Sequence, residues 1–210
     1  MDKAILNVED IEKLLAWRDG HQAEVRSAPA PLRAIEIIMP HNGYFIKGIR
    51  AGNTLRLHLR QNHRQLGNCI FERRHDGMWA AIKNRMLVSN DDVQSVLTVY
   101  CSLMALMAYS VNDRCHAEPA EAPLPRTKSS STASCRKSKR LTYIIKSSDG
   151  AIRAAVRGSH NSPSGEFSVR GHYRHYRSGK VIWIDEYRKG SGKKKSKTYK
   201  VGGEKNGHPD

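Results

Sequence analysis

Residues 54–60, TLRLHLR, carry the clearest secondary-structure signal in the chain and indicate its fold class. Three leucines alternate with Arg56, His58 and Arg60, so a strand here has one apolar face and one basic face. We interpret the basic face as a solvated side of a sheet, with a second nucleic-acid surface as the alternative. The alternation therefore predicts a sheet that buries one side.

Similar strand patterns flank this stretch on both sides. They cover residues 32–39, 44–50, 68–74 and 78–84, and short runs containing Gly, Asn or Asp separate them. This spacing predicts an antiparallel β-meander.

Two helices frame the predicted meander. Residues 90–109 place apolar side chains at helical spacing after a Ser89 cap, which predicts one long amphipathic helix packed on the sheet. A shorter helix is expected over residues 7–18, capped by Asn7. Trp17 and Trp79 are expected to be packing residues.

The sequence predicts an α+β protein in two parts. The N-terminal antiparallel β-meander with its long helix occupies residues 1–111, and residues 112–140 form a flexible linker rich in Pro, Ser and Ala. Residues 141–201 form a small basic C-terminal β-module of hairpins. Its strands are expected at 141–145, 151–157, 167–177 and 180–187, and TYKV (198–201) is a further short strand. Residues 202–210 form a disordered tail.

Positive charge is concentrated in the C-terminal part. Of the formal net charge of +16, residues 126–210 contribute 21 Lys and Arg against 6 Asp and Glu, whereas the first 125 residues hold 15 against 14. So dense a positive field favours a polyanionic partner, DNA or RNA.

The remaining composition favours a soluble intracellular protein. Cys69, Cys101, Cys115 and Cys135 match no zinc-binding spacing and suggest no disulfide framework. No uninterrupted apolar run reaches the length of a membrane span, and the first residues lack a signal-peptide pattern. We therefore expect a cytoplasmic protein without a metal, a cofactor or a membrane partner.

Residues 170–184, RGHYRHYRSGKVIWI, read as a hairpin around Ser178-Gly179. With a loop of two or four residues, Arg174 lies opposite Trp183 and His172 opposite Asp185, and one face then combines cations with aromatic rings. A three-residue loop shifts the register and removes this sorting.

The mixed face and the basic stretch that follows it are the predicted nucleic-acid-binding surface. Arginine forks match phosphate oxygens, and aromatic rings stack on unpaired bases. The predicted residues are Arg170, His172, Arg174, Tyr176, Lys180, Trp183, Tyr187, Arg188, Lys189, Lys193, Lys194 and Lys195.

Two alternatives stay open. The basic module could dock on an acidic protein surface, with the protein acting as an inhibitor or regulator. A small metal-independent nuclease could use His172 as a base oriented by Asp185, although no nucleophile motif or acidic metal cluster accompanies them.

Residues 169–190, VRGHYRHYRSGKVIWIDEYRKG, and the end KTYKV (197–201) resemble a C-terminal module of uncharacterised accessory proteins of phages, prophages and other mobile elements. The resemblance implies a mobile-element origin, and such small basic proteins include inhibitors of host defence such as anti-CRISPR proteins. The leading hypothesis is therefore a non-enzymatic nucleic-acid-binding protein in the host cytoplasm that acts on a defence nucleoprotein complex. Its N-terminal part would mediate protein contact or form a homodimer.

Overall fold

The computed structural model describes residues 1–109, 114–115, 142–145 and 165–201, and its mixed α+β architecture confirms the predicted fold class. One nine-stranded sheet carries the helices, and two small sheets of two and three strands lie in the C-terminal part. In chain order the elements are β1 Asp2–Ile5, α1 Val8–Gly20, α2 Gln22–Ser27, β2 Ala34–Met39, β3 Tyr44–Ala51, β4 Thr54–Gln61, β5 Arg64–Arg73, β6 Trp79–Asn84, α3 Asn90–Tyr109, β7 Arg114–Cys115, β8 Thr142–Ile145, β9 Glu166–Val169, β10 His172–His175, β11 Val181–Ile184, β12 Tyr187–Lys189, β13 Lys194–Lys195 and β14 Thr198–Val201.

The predicted meander is present as β2 to β6, each strand antiparallel to the next. Leu55, Leu57 and Leu59 of β4 are fully buried on the side that we call the inner face. The opposite side, which carries Lys47, Arg56 and His58, is the outer face. The alternation read from 54–60 thus separates the two faces as expected.

Helix α3 covers the inner face and has the predicted bounds. Ser89 and Asp92 form a reciprocal cap, in which the Asp92 N–H donates to Ser89 Oγ (3.1 Å) and the Ser89 N–H donates to Asp92 Oδ2 (3.2 Å). By length and composition α3 is apolar enough to cross a membrane, yet 61% of that stretch is buried in the fold. It is the central helix of the core, and Trp17 and Trp79 pack against that core as predicted.

Strand β1 was not predicted from the sequence, and it links the two ends of the chain. It pairs in parallel with β2 on one side and with β14 on the other. The TYKV strand therefore lies in the main sheet and not in a separate C-terminal sheet, where it was predicted. The same correction applies to β8, which pairs in parallel with β14. Tyr199 of β14 is buried in the main core, so the C-terminal strand contributes directly to the N-terminal part.

The C-terminal strands are shorter than predicted. The expected strand from Phe167 to Arg177 divides at Arg170–Gly171 into β9 and β10, which belong to different small sheets. The Gly171 N–H donates to the Pro31 carbonyl (2.7 Å), which anchors this break to the N-terminal part. Strand β9 then pairs with β12 and β13, while β10 pairs with β11 alone.

Other predictions fall outside the residues that the structure describes. These are the flexible linker over 112–140, apart from the two residues of β7, the strand expected at 151–157 and the disordered tail at 202–210. The domain limits 1–111 and 141–201 stay predictions.

Candidate nucleic-acid interface

The predicted register of the C-terminal hairpin is wrong by one residue. His172 lies opposite Ile184, Tyr173 opposite Trp183, and Arg174 opposite Ile182. Arg174 and Trp183 are therefore on different faces, and the predicted single face of cations and rings does not form.

The cause of the shift is a three-residue loop, 177–179. The Tyr176 N–H donates to the Lys180 carbonyl (2.9 Å), which closes the loop, and the Gly179 N–H donates to the Tyr176 carbonyl (3.0 Å). Gly179 has a φ of 80°, the left-handed conformation that three-residue hairpin loops place at this position. The two-residue loop assumed from Ser178-Gly179 does not occur.

The shifted register turns Trp183 toward the helices. Its ring lies 4.9 Å from that of Tyr173, edge to face, and Tyr173 lies 5.3 Å from Tyr109 at the end of α3. Trp183 also packs against a small cluster that includes Ala105 and Ala108 of α3. Burial, followed by the contact with Tyr109, raises the pKa of Tyr173 to about 12, so this phenol is neutral at physiological pH. Trp183, predicted to stack on a base, is a packing residue.

Two other predicted binding residues are also wholly or partly buried. Arg170 is only 5% exposed, so its side chain lies inside the fold. His172 is half-buried, and its Nδ1 lies 3.0 Å from the Arg170 carbonyl. The Asp185 carboxylate accepts a hydrogen bond from Trp183 Nε1 (2.9 Å). The cross-strand pair of His172 and Asp185 that a nuclease would need is absent from the hairpin.

The tip of the hairpin keeps the predicted chemistry. Arg174 is exposed and its guanidinium lies 5.0 Å above the ring of Tyr176, which is itself 39% exposed. Lys180 is exposed across the loop, and so is Arg177. Arg177 was missed as a binding residue, although its position as a cation inside the loop was visible in the sequence. We call these four residues, Arg174, Tyr176, Arg177 and Lys180, the hairpin tip.

Further exposed cations follow the hairpin. Lys189, Lys193 and Lys194 are exposed, as is Tyr187 at 45%, whereas Lys195 is half-buried. Arg188 differs from them because it forms an ion pair with Glu166 (3.1 Å). Strands β12 and β13 flank β9 in one small sheet, so most of these cations share one supporting element.

The carboxylates of residues 165–201 are engaged in internal contacts. This segment holds eleven Lys and Arg but only Glu166, Asp185 and Glu186 as acids. Glu166 pairs with Arg188, Asp185 accepts from Trp183, and Glu186 accepts from the Arg33 N–H (2.7 Å) and from Ser168 Oγ. Within 170–184 there is no acid at all. The field at the hairpin tip is therefore positive.

In the described ranges, no group of three or more His, Cys, Asp or Glu side chains is arranged to hold a metal ion. Cys69 is buried, and burial raises the pKa of its thiol, which disfavours the reactive thiolate.

No protein-family model, curated protein or solved structure matches the chain.

Proposed function

We propose that the protein binds nucleic acid without catalysing a reaction, and that the hairpin tip is its principal contact. The observation that carries this proposal is the exposed Arg174–Tyr176 pair, with two further cations beside it and no acid in the hairpin. Arginine matches phosphate oxygens with paired N–H donors, and an exposed tyrosine ring can stack on an unpaired base. A single-stranded ligand suits this combination best, because stacking requires bases that are not already paired.

The lysines after the hairpin extend the positively charged surface that attracts nucleic acid, without adding specificity for particular bases. Lys189, Lys193 and Lys194 are exposed and have no stacking ring of their own apart from Tyr187. Such residues contact phosphates through charge alone, which gives salt-sensitive and sequence-tolerant binding.

The biological setting that we propose rests on the resemblance of residues 169–190 to accessory proteins of mobile elements. In that setting the protein works in the host cytoplasm and inhibits a defence nucleoprotein complex, such as a CRISPR effector. The DNA channel of such an effector is itself positive, so a basic inhibitor would more readily contact guide RNA.

The test is fluorescence anisotropy with single- and double-stranded RNA and DNA over a salt series. The informative variant replaces Arg174, Arg177 and Lys180 with Ala. The matched control replaces Lys47 and Arg56 of the outer face and Lys83 of β6 with Ala, which removes the same charge from exposed positions elsewhere.

We expect the tip variant to lose affinity and to lower the slope of log K against log salt by about 0.7 for each phosphate contact removed on a single strand. The control should keep most of the wild-type affinity. If the wild type binds no ligand more tightly than about 10⁻⁴ M at physiological salt, or if both variants lose affinity equally, the proposal fails. The basic surface would then have to meet an acidic protein surface.

A further inference from the structure

A second cluster of cations lies at one end of the inner face, away from the hairpin tip in sequence and on different strands. Arg50 of β3 and Arg73 of β5 both contact the ring of Trp79, with their guanidinium carbons 5.2 Å and 5.9 Å from its centroid. Arg73 and Trp79 are directly opposite each other on neighbouring strands. Two like charges are therefore held beside one half-buried ring.

Among the described residues, no carboxylate forms an ion pair with either arginine. In the described part of the chain, the Arg50 side chain makes one hydrogen bond, from Nε to the Gly52 carbonyl (3.4 Å), and Arg73 donates to the Arg26 carbonyl. Burial lowers the pKa of Arg50, and the neighbouring charge of Arg73 lowers it further. One arginine on Trp79 is explained by cation–π attraction alone. A second one adds repulsion, which a bound anion would reduce.

Helix α3 adds a polar group to the same place. The Tyr100 hydroxyl is buried and has no hydrogen-bond partner among the described residues, and it lies close enough to Arg50 for each to shift the pKa of the other. The next residue, Cys101, is near both arginines, yet burial raises its pKa to about 12, so its thiol is neutral. An unpaired buried hydroxyl is costly, and most guanidinium N–H donors of the two arginines have no hydrogen-bond acceptor among the described residues.

Arg50 also borders an open cavity of about 460 Å³. Arg33 and Gly52 line the same cavity, as do Asp185 and Glu186. Asp185 accepts a hydrogen bond from Trp183 Nε1, and Glu186 accepts from the Arg33 N–H and from Ser168 Oγ. Arg50 is thus open to solvent on the side of this cavity.

We propose that Arg50 and Arg73, held against Trp79, form a binding site for a phosphoryl group. Two guanidinium groups supply the forked N–H donors that phosphate oxygens accept, and the half-buried setting strengthens each bond relative to water. This site goes beyond the proposed function, because it involves none of the residues of the hairpin tip.

The experiment is a titration of the full chain with inorganic phosphate against sodium chloride at constant ionic strength, read by tryptophan fluorescence and by thermal unfolding. We expect a saturable fluorescence change and a higher melting temperature with phosphate only. Arg50→Gln and Arg73→Gln should each weaken phosphate binding by roughly tenfold or more, the loss that follows from removing a hydrogen bond to a charged group.

Three further variants separate the site from general charge effects. Arg56→Gln makes the same charge change on the outer face and should leave phosphate binding intact. Trp79→Phe should remove the fluorescence signal but keep the shift in melting temperature. Arg50→Lys retains the charge without the fork and should bind phosphate less well than wild type but better than Arg50→Gln.

The source of the phosphoryl group is distinguished by competition. The competitor is a short single-stranded oligonucleotide, added to the triple hairpin-tip variant with phosphate bound. If the oligonucleotide displaces phosphate, the natural ligand of the site is a nucleic-acid phosphate. If it does not compete, the natural ligand is a free or terminal phosphate. The proposal is overturned if wild type shows no difference between phosphate and chloride, or if Arg56→Gln weakens binding as much as Arg50→Gln. The hairpin-tip substitutions leave Arg50, Arg73 and Trp79 unchanged. A negative result for the phosphate site therefore does not affect the proposed function, and a negative result for the proposed function does not affect the phosphate site.

Discussion

Tyr173 lies directly opposite Trp183 in the C-terminal hairpin, with ring centroids 4.9 Å apart and ring planes at 68°. Edge-to-face pairs of this kind contribute stability beyond the area that they bury. The pair rests against Tyr109 and the alanines at the end of α3. The hairpin is thus attached to the main core through its aromatic residues, and its cations are left on the other side.

Replacing Trp183 with Ala should therefore cost stability and not binding. We expect the free energy of unfolding to fall by about 2–4 kcal/mol, slightly below the usual range for a fully buried Trp because this one is half-buried. Urea denaturation followed by circular dichroism measures this loss. Under conditions in which the variant stays folded, its affinity for single-stranded nucleic acid should match that of wild type.

Tyr176→Ala is the reciprocal control. This ring is 39% exposed, so its loss should change stability by less than about 0.5 kcal/mol while weakening nucleic-acid binding by about 1–3 kcal/mol. The opposite result, a Trp183→Ala protein that is fully stable but no longer binds nucleic acid, would show that Trp183 contacts the ligand, as the sequence suggested.

The loop that sets the register provides a second prediction. Gly179 has a φ of 80°, and a Cβ added there would meet no atom within 4 Å. The cost of Gly179→Ala should therefore come from the backbone conformation alone, about 1 kcal/mol. Gly179→Asn should cost less, because Asn tolerates this conformation better. Equal losses for the two variants in urea denaturation would contradict the three-residue loop.

Sequence periodicity predicted the parts of the fold that are local. The alternating leucines of β4 and the apolar spacing of α3 each report burial of one side of one element, and both predictions were confirmed. The register of the C-terminal hairpin depended on the backbone conformation of one glycine. Ser178-Gly179 is compatible with loops of two or three residues, so the pattern could not decide which side chains share a face.

The pairing of strands that are distant in sequence could not be predicted either. Strand β1 has only four residues, and it is held by parallel partners from both ends of the chain. The arginine cluster was missed for the same reason. Arg50, Arg73 and Trp79 come from three strands, and each looks like an ordinary strand residue until the sheet brings them together.

Gly48 provides a third prediction, on the packing of α3 against the sheet. A Cβ at this position would lie 2.1 Å from Cε2 of Tyr100, a ring that is only 2% exposed and cannot move away freely. Gly48→Ala should lower the free energy of unfolding by about 1–3 kcal/mol through overpacking. Combining it with Tyr100→Leu should cost less than the sum of the two single changes, because the smaller side chain leaves room for the methyl group. Additive losses in a double-mutant cycle would show that the ring does not constrain Gly48.

The pH dependence of stability should report the contact between the two ends of the chain. Asp2 is 6% exposed, and its Oδ1 accepts a hydrogen bond from the Lys197 N–H (3.0 Å). Burial raises the pKa of Asp2 above its usual 3.8. The rise is opposed by the hydrogen bond from Lys197 and by the positive charges of Lys197 and the N-terminus, and it is increased slightly by the negative charge of Glu186. Between the two pKa values the folded state then binds more protons than the unfolded state. Protonation therefore favours folding, and this contribution is lost as the pH rises through the folded-state pKa.

Asp2→Asn removes this titration while keeping an oxygen that can accept from the Lys197 N–H. We expect wild type to gain stability relative to Asp2→Asn as the pH falls from 7 toward the ordinary range of a carboxyl group. Urea denaturation of both proteins at matched pH values measures the difference between their free energies of unfolding. The titration of all other groups cancels in this difference. A wild type that instead loses stability relative to the variant at low pH would show that the hydrogen bond and the positive charges outweigh burial. The seam between β1 and β14 would then gain stability from the ionised carboxylate.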